Sequence, residues 1–139
     1  MNFEDFIKTG QAKKAEIDRE LARSLIQTAD EDLIYLKSVK LDKFSARKVI
    51  SNYYDVLRSI LEAISILEGY KIYSHEAFTY FLKQKGEENL SNKFDRFRQI
   101  RNKINYYGKK ISIEEAEEYT IEIQKLIQEI KLKFTEVKS

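Results

Sequence analysis

In the segment Arg98-Gln99-Ile100-Arg101-Asn102-Lys103-Ile104-Asn105-Tyr106-Tyr107-Gly108, an arginine stands where a helix should be apolar. At about 100° per residue, Leu90, Phe94, Phe97 and Ile104 form one stripe, and Arg101 falls within it. Because an unpaired buried charge is very costly, such a guanidinium either pairs with a carboxylate across the fold or holds a ligand. Asp55 and Glu62 are the candidate partners. Arg98, Asn102 and Asn105 lie on the adjoining flank, so several side chains able to hydrogen-bond a phosphate or a base share one edge with Arg101, and Tyr106 closes it. Aromatic residues among arginines and lysines suit stacking on single-stranded bases. They equally suit a protein interface.

The elements that must position this edge are helical. Four glycines, Gly10, Gly69, Gly86 and Gly108, punctuate a chain with no proline and no convincing strand alternation. Helices are predicted from about Asp18 to Val39 (Leu21, Leu25, Ala29, Leu33 and Leu36 inward), and from about Lys43 to Glu68 (Ile50, Tyr53, Leu57, Ile60, Leu61, Ile64 and Leu67 inward). A short one follows from Ser74 to Lys85 with Ala77, Phe78, Phe81 and Leu82 as its apolar face, then one from Asn89 to Tyr107. The last opens with the capping box Ser112-Ile113-Glu114-Glu115 and carries Ala116, Tyr119, Ile123, Leu126, Ile127, Ile130, Phe134 and Val137 on one face. A further short helix is expected at Phe3 to Lys8. The fold class is all-α: one domain, an antiparallel up-and-down bundle of four to five helices. Val49, Val56, Ile100 and Tyr107 lie beside the main stripes, a surplus that points to a two-fold homodimer with the Asn89 to Tyr107 helices near the axis.

A family resemblance covers the same residues. Arg101-Asn102 followed by Lys-Ile-Asn-Tyr-Tyr-Gly is similar to the Arg-Asn-x-x-x-His motif of HEPN domains, small helical proteins of prokaryotic toxin-antitoxin and RNA-cleaving systems. Upstream, Asn52-Tyr53-Tyr54-Asp55-Val56-Leu57-Arg58, Glu62-Ala63, Gly69-Tyr70-Lys71 and Ser74-His75-Glu76-Ala77 resemble the middle of archaeal-type members, and the similarity runs in register from about Asp18 to Phe134. The resemblance implies a helical bundle, an RNA cleft between two protomers, and an arginine that meets the RNA phosphate. It also implies metal-independent cleavage, in which the motif histidine helps a 2′-hydroxyl attack its own phosphate. Here that histidine is Tyr106. A phenol titrates near pH 10, so at pH 7 only about one in a thousand is a phenolate, and the departure argues for binding without efficient cleavage.

The expected protein is thus a homodimer related to ribonucleases that binds RNA or a nucleotide-bearing partner through Arg98, Arg101, Asn102, Asn105 and Tyr106, with Arg101 and Tyr106 as catalytic candidates. Two alternatives remain: an active metal-independent endoribonuclease with another base, toxin-like, or an interaction module serving a nucleotidyltransferase or another antitoxin-like partner.

Composition narrows the classes further. With 25 Lys and Arg against 23 Asp and Glu, the net charge of +2 excludes a globally basic nucleic-acid-coating protein. The charge is segregated, however: Lys93, Arg96, Arg98, Arg101, Lys103, Lys109 and Lys110 face only Asp95 in their stretch, and the segment after Glu114 is acidic. Without cysteine there is no disulfide framework or thiolate nucleophile, and a single histidine cannot furnish a bundle di-metal site, so no metal or cofactor is expected. No Gly-rich phosphate loop is present. No apolar run is long enough to span a membrane and no signal-peptide pattern opens the chain, so the expectation is cytoplasmic. His75 reads as a helix-end residue beside Ser74; a catalytic role would require that helix N-terminus to approach Arg101.

Overall fold

The computed structural model describes residues 1–134. Its helices are α1 (Phe3–Lys8), α2 (Arg19–Ser38), α3 (Ala46–Leu67), α4 (His75–Gln84), α5 (Glu88–Tyr107) and α6 (Ile113–Phe134), and two short strands, β1 (Ala12–Lys14) and β2 (Tyr70–Ile72), pair with each other. The all-helical bundle expected from periodicity is present, with α2, α3 and α5 within three residues of their predicted ends and α6 starting one residue after Ser112. Val137 lies outside the described residues.

α3 is the spine. It touches α2, α4, α5 and α6 as well as β2. A helix enclosed on several sides must be apolar on more than one stripe, which is why Val49 and Val56 are buried along with Ile50, Tyr53, Leu57, Ile60, Leu61 and Ile64. Ile100 on α5 is buried too. Three of the four residues that suggested a surplus for a dimer are therefore used within one chain, and only Tyr107, 83% exposed, remains outside. Leu67 is only partly buried, at the margin of a small cluster of Ala22, Ala63 and Ile66. On α2 the inward residues are Ala22, Ala29, Leu33 and Leu36, whereas Leu21 is 40% exposed. The Asp18 side chain caps the helix by accepting from Leu21 N at 3.0 Å, and the small Ala22 meets Ala63 of α3 at the close approach.

The strands are the main departure from the sequence reading. β1 and β2 are antiparallel, with Ala12 opposite Ile72, Lys13 opposite Lys71 and Lys14 opposite Tyr70. Three residues are too few for alternation to show. The pairing extends past both ends: Ala15 N donates to Gly69 O and Tyr73 N to Gln11 O, each at 2.8 Å. Gly69 turns the chain from α3 into β2 at φ +88°, a conformation costly for any residue with a Cβ. Phe3 of α1 is buried edge-on against Tyr70 and Phe81, which anchors the N-terminal segment. The ribbon thus fixes where α4 begins, and Ser74 Oγ caps it by accepting from Ala77 N. At the far end of α5, Gly108 adopts φ +64° and Lys109 N donates to Lys103 O at 3.0 Å, which stops the helix one residue after Tyr107. The Ser112–Glu115 capping box then starts α6, its bonds 3.0 and 3.2 Å long.

Candidate functional site

Arg101 projects from α5 toward α3 and the start of α4. Its guanidinium carbon lies 5.7 Å from the ring centre of Tyr54 and 5.8 Å from that of Tyr106. Nη1 reaches Tyr106 Oη only at 3.5 Å, and the buried Nε has no hydrogen-bond partner. Neither expected carboxylate pairs with it. Glu62 is taken by Arg58 at 3.1 Å, one turn along α3. Asp55 feels the charges of Arg101 and Arg58 yet makes no ion pair among the described residues. An orphaned buried donor costs about 1–3 kcal/mol, so the fold holds Arg101 at a local expense that a ligand oxygen would relieve. With no carboxylate bonded to it among the described residues, the guanidinium keeps donors available, and its planar fork matches an oxyanion.

Tyr54 lies beneath this arginine. It is fully buried, its ring stacked on Phe94 and on His75, and its Oη lies 3.0 Å from His75 Nδ1. Burial pushes its phenol above the usual range. Burial, and then the charges of Arg101, Arg58 and Arg98, hold the His75 imidazole down to about 4. Tyr54 thus links the α4 N-terminus to Arg101, its hydroxyl 3.0 Å from His75 Nδ1 and its ring 5.7 Å from the guanidinium carbon, and the only histidine belongs to the site. Burial raises the Asp55 carboxyl, partly opposed by Arg101 and Arg58.

The other predicted residues are placed unequally. Arg98 Nε donates to Asp95 Oδ1 at 2.8 Å, and Asp95 also accepts from Gln99 at 2.7 Å and Thr79 at 3.0 Å. Burial acts to raise the Asp95 carboxyl, but these hydrogen bonds and the Arg98 charge outweigh it and leave it below the usual range. Arg98 thus acts on the site through its charge. Asn105 accepts from Ser51 Oγ at 3.1 Å and lines an adjoining open groove of about 250 Å³ with Arg47, Lys48 and Asp55. Asn102 is partly buried and has no side-chain hydrogen bond among the described residues. Tyr106 is 70% exposed beside Arg101.

Sequence reasoning missed Tyr54 and Arg58 as members of the site. A signal existed: Ser51, Asp55, Arg58 and Glu62 recur at helical spacing as a polar stripe along α3, and Tyr54 borders it. The basic stretch is also less free than its composition implied. Lys93 pairs with Glu129, Arg96 with Glu122 and Arg98 with Asp95, two of those acids coming from α6. Arg101, Lys103, Lys109 and Lys110 are left without a carboxylate partner among the described residues. In the same residues no cluster of three or more His, Asp or Glu is arranged to hold a metal ion, and no helix is long and apolar enough to cross a membrane.

The His75 environment has a measurable consequence. Its folded pKa of about 4 lies below the reference 6.5, so the unfolded chain binds the extra proton and acidification from pH 6.5 toward 4 destabilises the fold. After allowance for solvent screening the effect is about 1–2 kcal/mol. Asp55, with its raised pKa, works in the opposite sense above its ordinary 3.8. Urea unfolding at pH 7 and 4.5 should show the wild type losing about 1–2 kcal/mol more than His75→Gln. Equal losses would place the pH sensitivity elsewhere.

No family model, curated protein or solved structure matches the chain.

Proposed function

We propose that the chain is a HEPN-like RNA-binding protein, working as a homodimer, that grips the phosphate backbone of single-stranded RNA at Arg101. The observation that carries this reading is the state of Arg101: a cation close to two aromatic rings, with no carboxylate partner and no partner for its Nε among the described residues. Arg98 and Arg58 add positive charge beside it, the groove past Asn105 offers Arg47 and Lys48 to a neighbouring phosphate, and exposed Tyr106 and Tyr107 offer ring faces to bases or to a second protomer.

Binding of an oligouridylate should weaken with salt, the slope reporting the phosphates neutralised at about 0.7 each. Arg101→Ala should lower affinity about 10- to 100-fold and flatten that slope by about one phosphate's worth. Arg98→Ala should act in the same sense but less, and Arg96→Ala, already paired with Glu122, should change little. Salt-independent binding, or none at low salt, would leave the alternative of a module serving a nucleotidyltransferase or antitoxin-like partner. Light scattering at micromolar concentration should give a dimer; a monomer would remove the two-protomer cleft.

An active endoribonuclease is the second reading, favoured by the presence of the one histidine at the Arg101 site. Its weakness is chemical. A base that titrates near 4 is a poor proton acceptor for a 2′-hydroxyl.

A further inference from the structure

The Tyr54–His75 pair is outside the expected motif, and its hydrogen-bond accounting constrains what the imidazole can do. Tyr54 is fully buried, and among the described residues its hydroxyl has one hydrogen-bond partner, His75 Nδ1 at 3.0 Å. A buried O–H without an acceptor costs about 1–3 kcal/mol, so the phenol donates and Nδ1 accepts. In a neutral imidazole the proton then sits on Nε2. Nε2 has no partner among the described residues and is not a sealed atom, so it is open to solvent, and the Tyr54 ring that holds the imidazole also lies 5.7 Å from the Arg101 guanidinium carbon. The alternative tautomer, which would free Nε2 to accept a proton, would strand the Tyr54 hydrogen.

We propose that His75 is a neutral hydrogen-bond donor of the RNA site, presenting Nε2–H to a backbone oxygen of the strand held at Arg101, with Tyr54 fixing its tautomer. This rests on the RNA reading of Arg101 and deepens it: His75 enters the site as a donor beside the arginines, not as its base. Three further features keep the ring uncharged: its own burial, the facing cations Arg58 on α3 and Arg98 and Arg101 on α5, and its place in the first turn of α4, where the helix presents its positive end. Asp55 on α3 and Glu76 on α4 are the carboxylates nearest in sequence to the pair. Tyr54 is a positioning residue. It meets no ligand itself.

One histidine makes the experiment unambiguous, since the full-length chain labelled with nitrogen-15 in histidine gives a single imidazole. At pH 7 the long-range proton–nitrogen spectrum should show Nε2 protonated and Nδ1 bearing the lone pair, and Tyr54→Phe should bring in the other tautomer. An oligouridylate at low salt should shift the Nε2–H signal. His75→Ala should bind it about 10-fold more weakly, as loss of one hydrogen bond to a charged group predicts, and His75→Gln, which keeps a donor, should recover most of that loss. An imidazolium or an Nδ1–H imidazole at pH 7, or wild-type affinity in His75→Ala, would overturn the proposal while leaving Arg101 as the phosphate site. A wild type that ignores the oligouridylate would overturn the RNA reading and this proposal with it, and an Nε2–H signal that is then unmoved by inorganic phosphate would remove any anion-binding role for His75.

Discussion

Tyr106→His should raise metal-independent RNA cleavage by about 100- to 10,000-fold, the usual worth of a positioned general base. Tyr106 Oη lies 3.5 Å from Arg101 Nη1, so an imidazole at 106 would stand beside the guanidinium that, on the proposed RNA reading, would stabilise the developing phosphorane charge. The new base takes the 2′-hydroxyl proton as the 2′-oxygen bonds to phosphorus and the 5′-oxygen leaves, giving a cyclic phosphate and a 5′-hydroxyl end. Its pH profile should rise at or somewhat below 6.5, because Arg101 disfavours the imidazolium. Arg101→Ala in that background should abolish the gain. Incubation with unstructured RNA in chelator, followed by detection of cyclic-phosphate ends, reads all three proteins. Robust wild-type cleavage unchanged by the substitution would make another residue the base, and would count against His75 as a pure donor. An inert variant that still binds RNA would place the obstacle in the geometry around position 106.

The largest effect on stability should come from Phe94→Ala. Phe94 is fully buried on α5, stacked on Tyr54 at 5.7 Å and edge-on to Phe78 at 6.2 Å, so it joins α3, α4 and α5 at one point. Truncation of a buried phenylalanine costs about 3–5 kcal/mol through lost transfer energy and the cavity that remains. For a domain of this size the midpoint of thermal unfolding should fall by about 10–20 °C. Because Tyr54 rests on Phe94, the variant should also disturb the single imidazole signal, whereas Ile121→Ala, at an exposed position, should leave that signal in place and the stability within about 0.5 kcal/mol of wild type. If Phe94→Ala melts like wild type, the α3–α5 seam closes by other contacts.

The two substitutions probe what the sequence revealed unequally. Periodicity carried the helices and nearly all of their inward residues, because each long helix buries a continuous stripe. It failed at Leu21 and Ala22, where a cap and a close helix approach decided which neighbour turned inward. Arg101 was legible as an anomaly within an apolar stripe, but its partner was not. The choice between Asp55, Glu62 and a ligand depended on Arg58 having taken Glu62 first. The homodimer argument lost most of its basis for a similar reason: α3 and α5 are surrounded, so Val49, Val56 and Ile100 had neighbours that no single-helix reading supplies. His75 was visible as a residue and invisible as a site member, since nothing local to α4 says that α3 and α5 meet it.

The β1–β2 ribbon divides the site into parts with different breathing modes. Arg58 and Tyr54 sit on α3 and Arg98 and Arg101 on α5, two long helices of the bundle, and they lose their places only when the bundle opens as a whole. His75 stands three residues after Ile72, the end of a three-residue strand whose pairing partner is the chain's own N-terminal segment. Peeling of residues 12–15 would release the donor while leaving the arginines in place, so exchange of the Ala15 and Tyr73 amides with solvent deuterium is a direct clock for how often the site exists in a three-arginine form without its histidine.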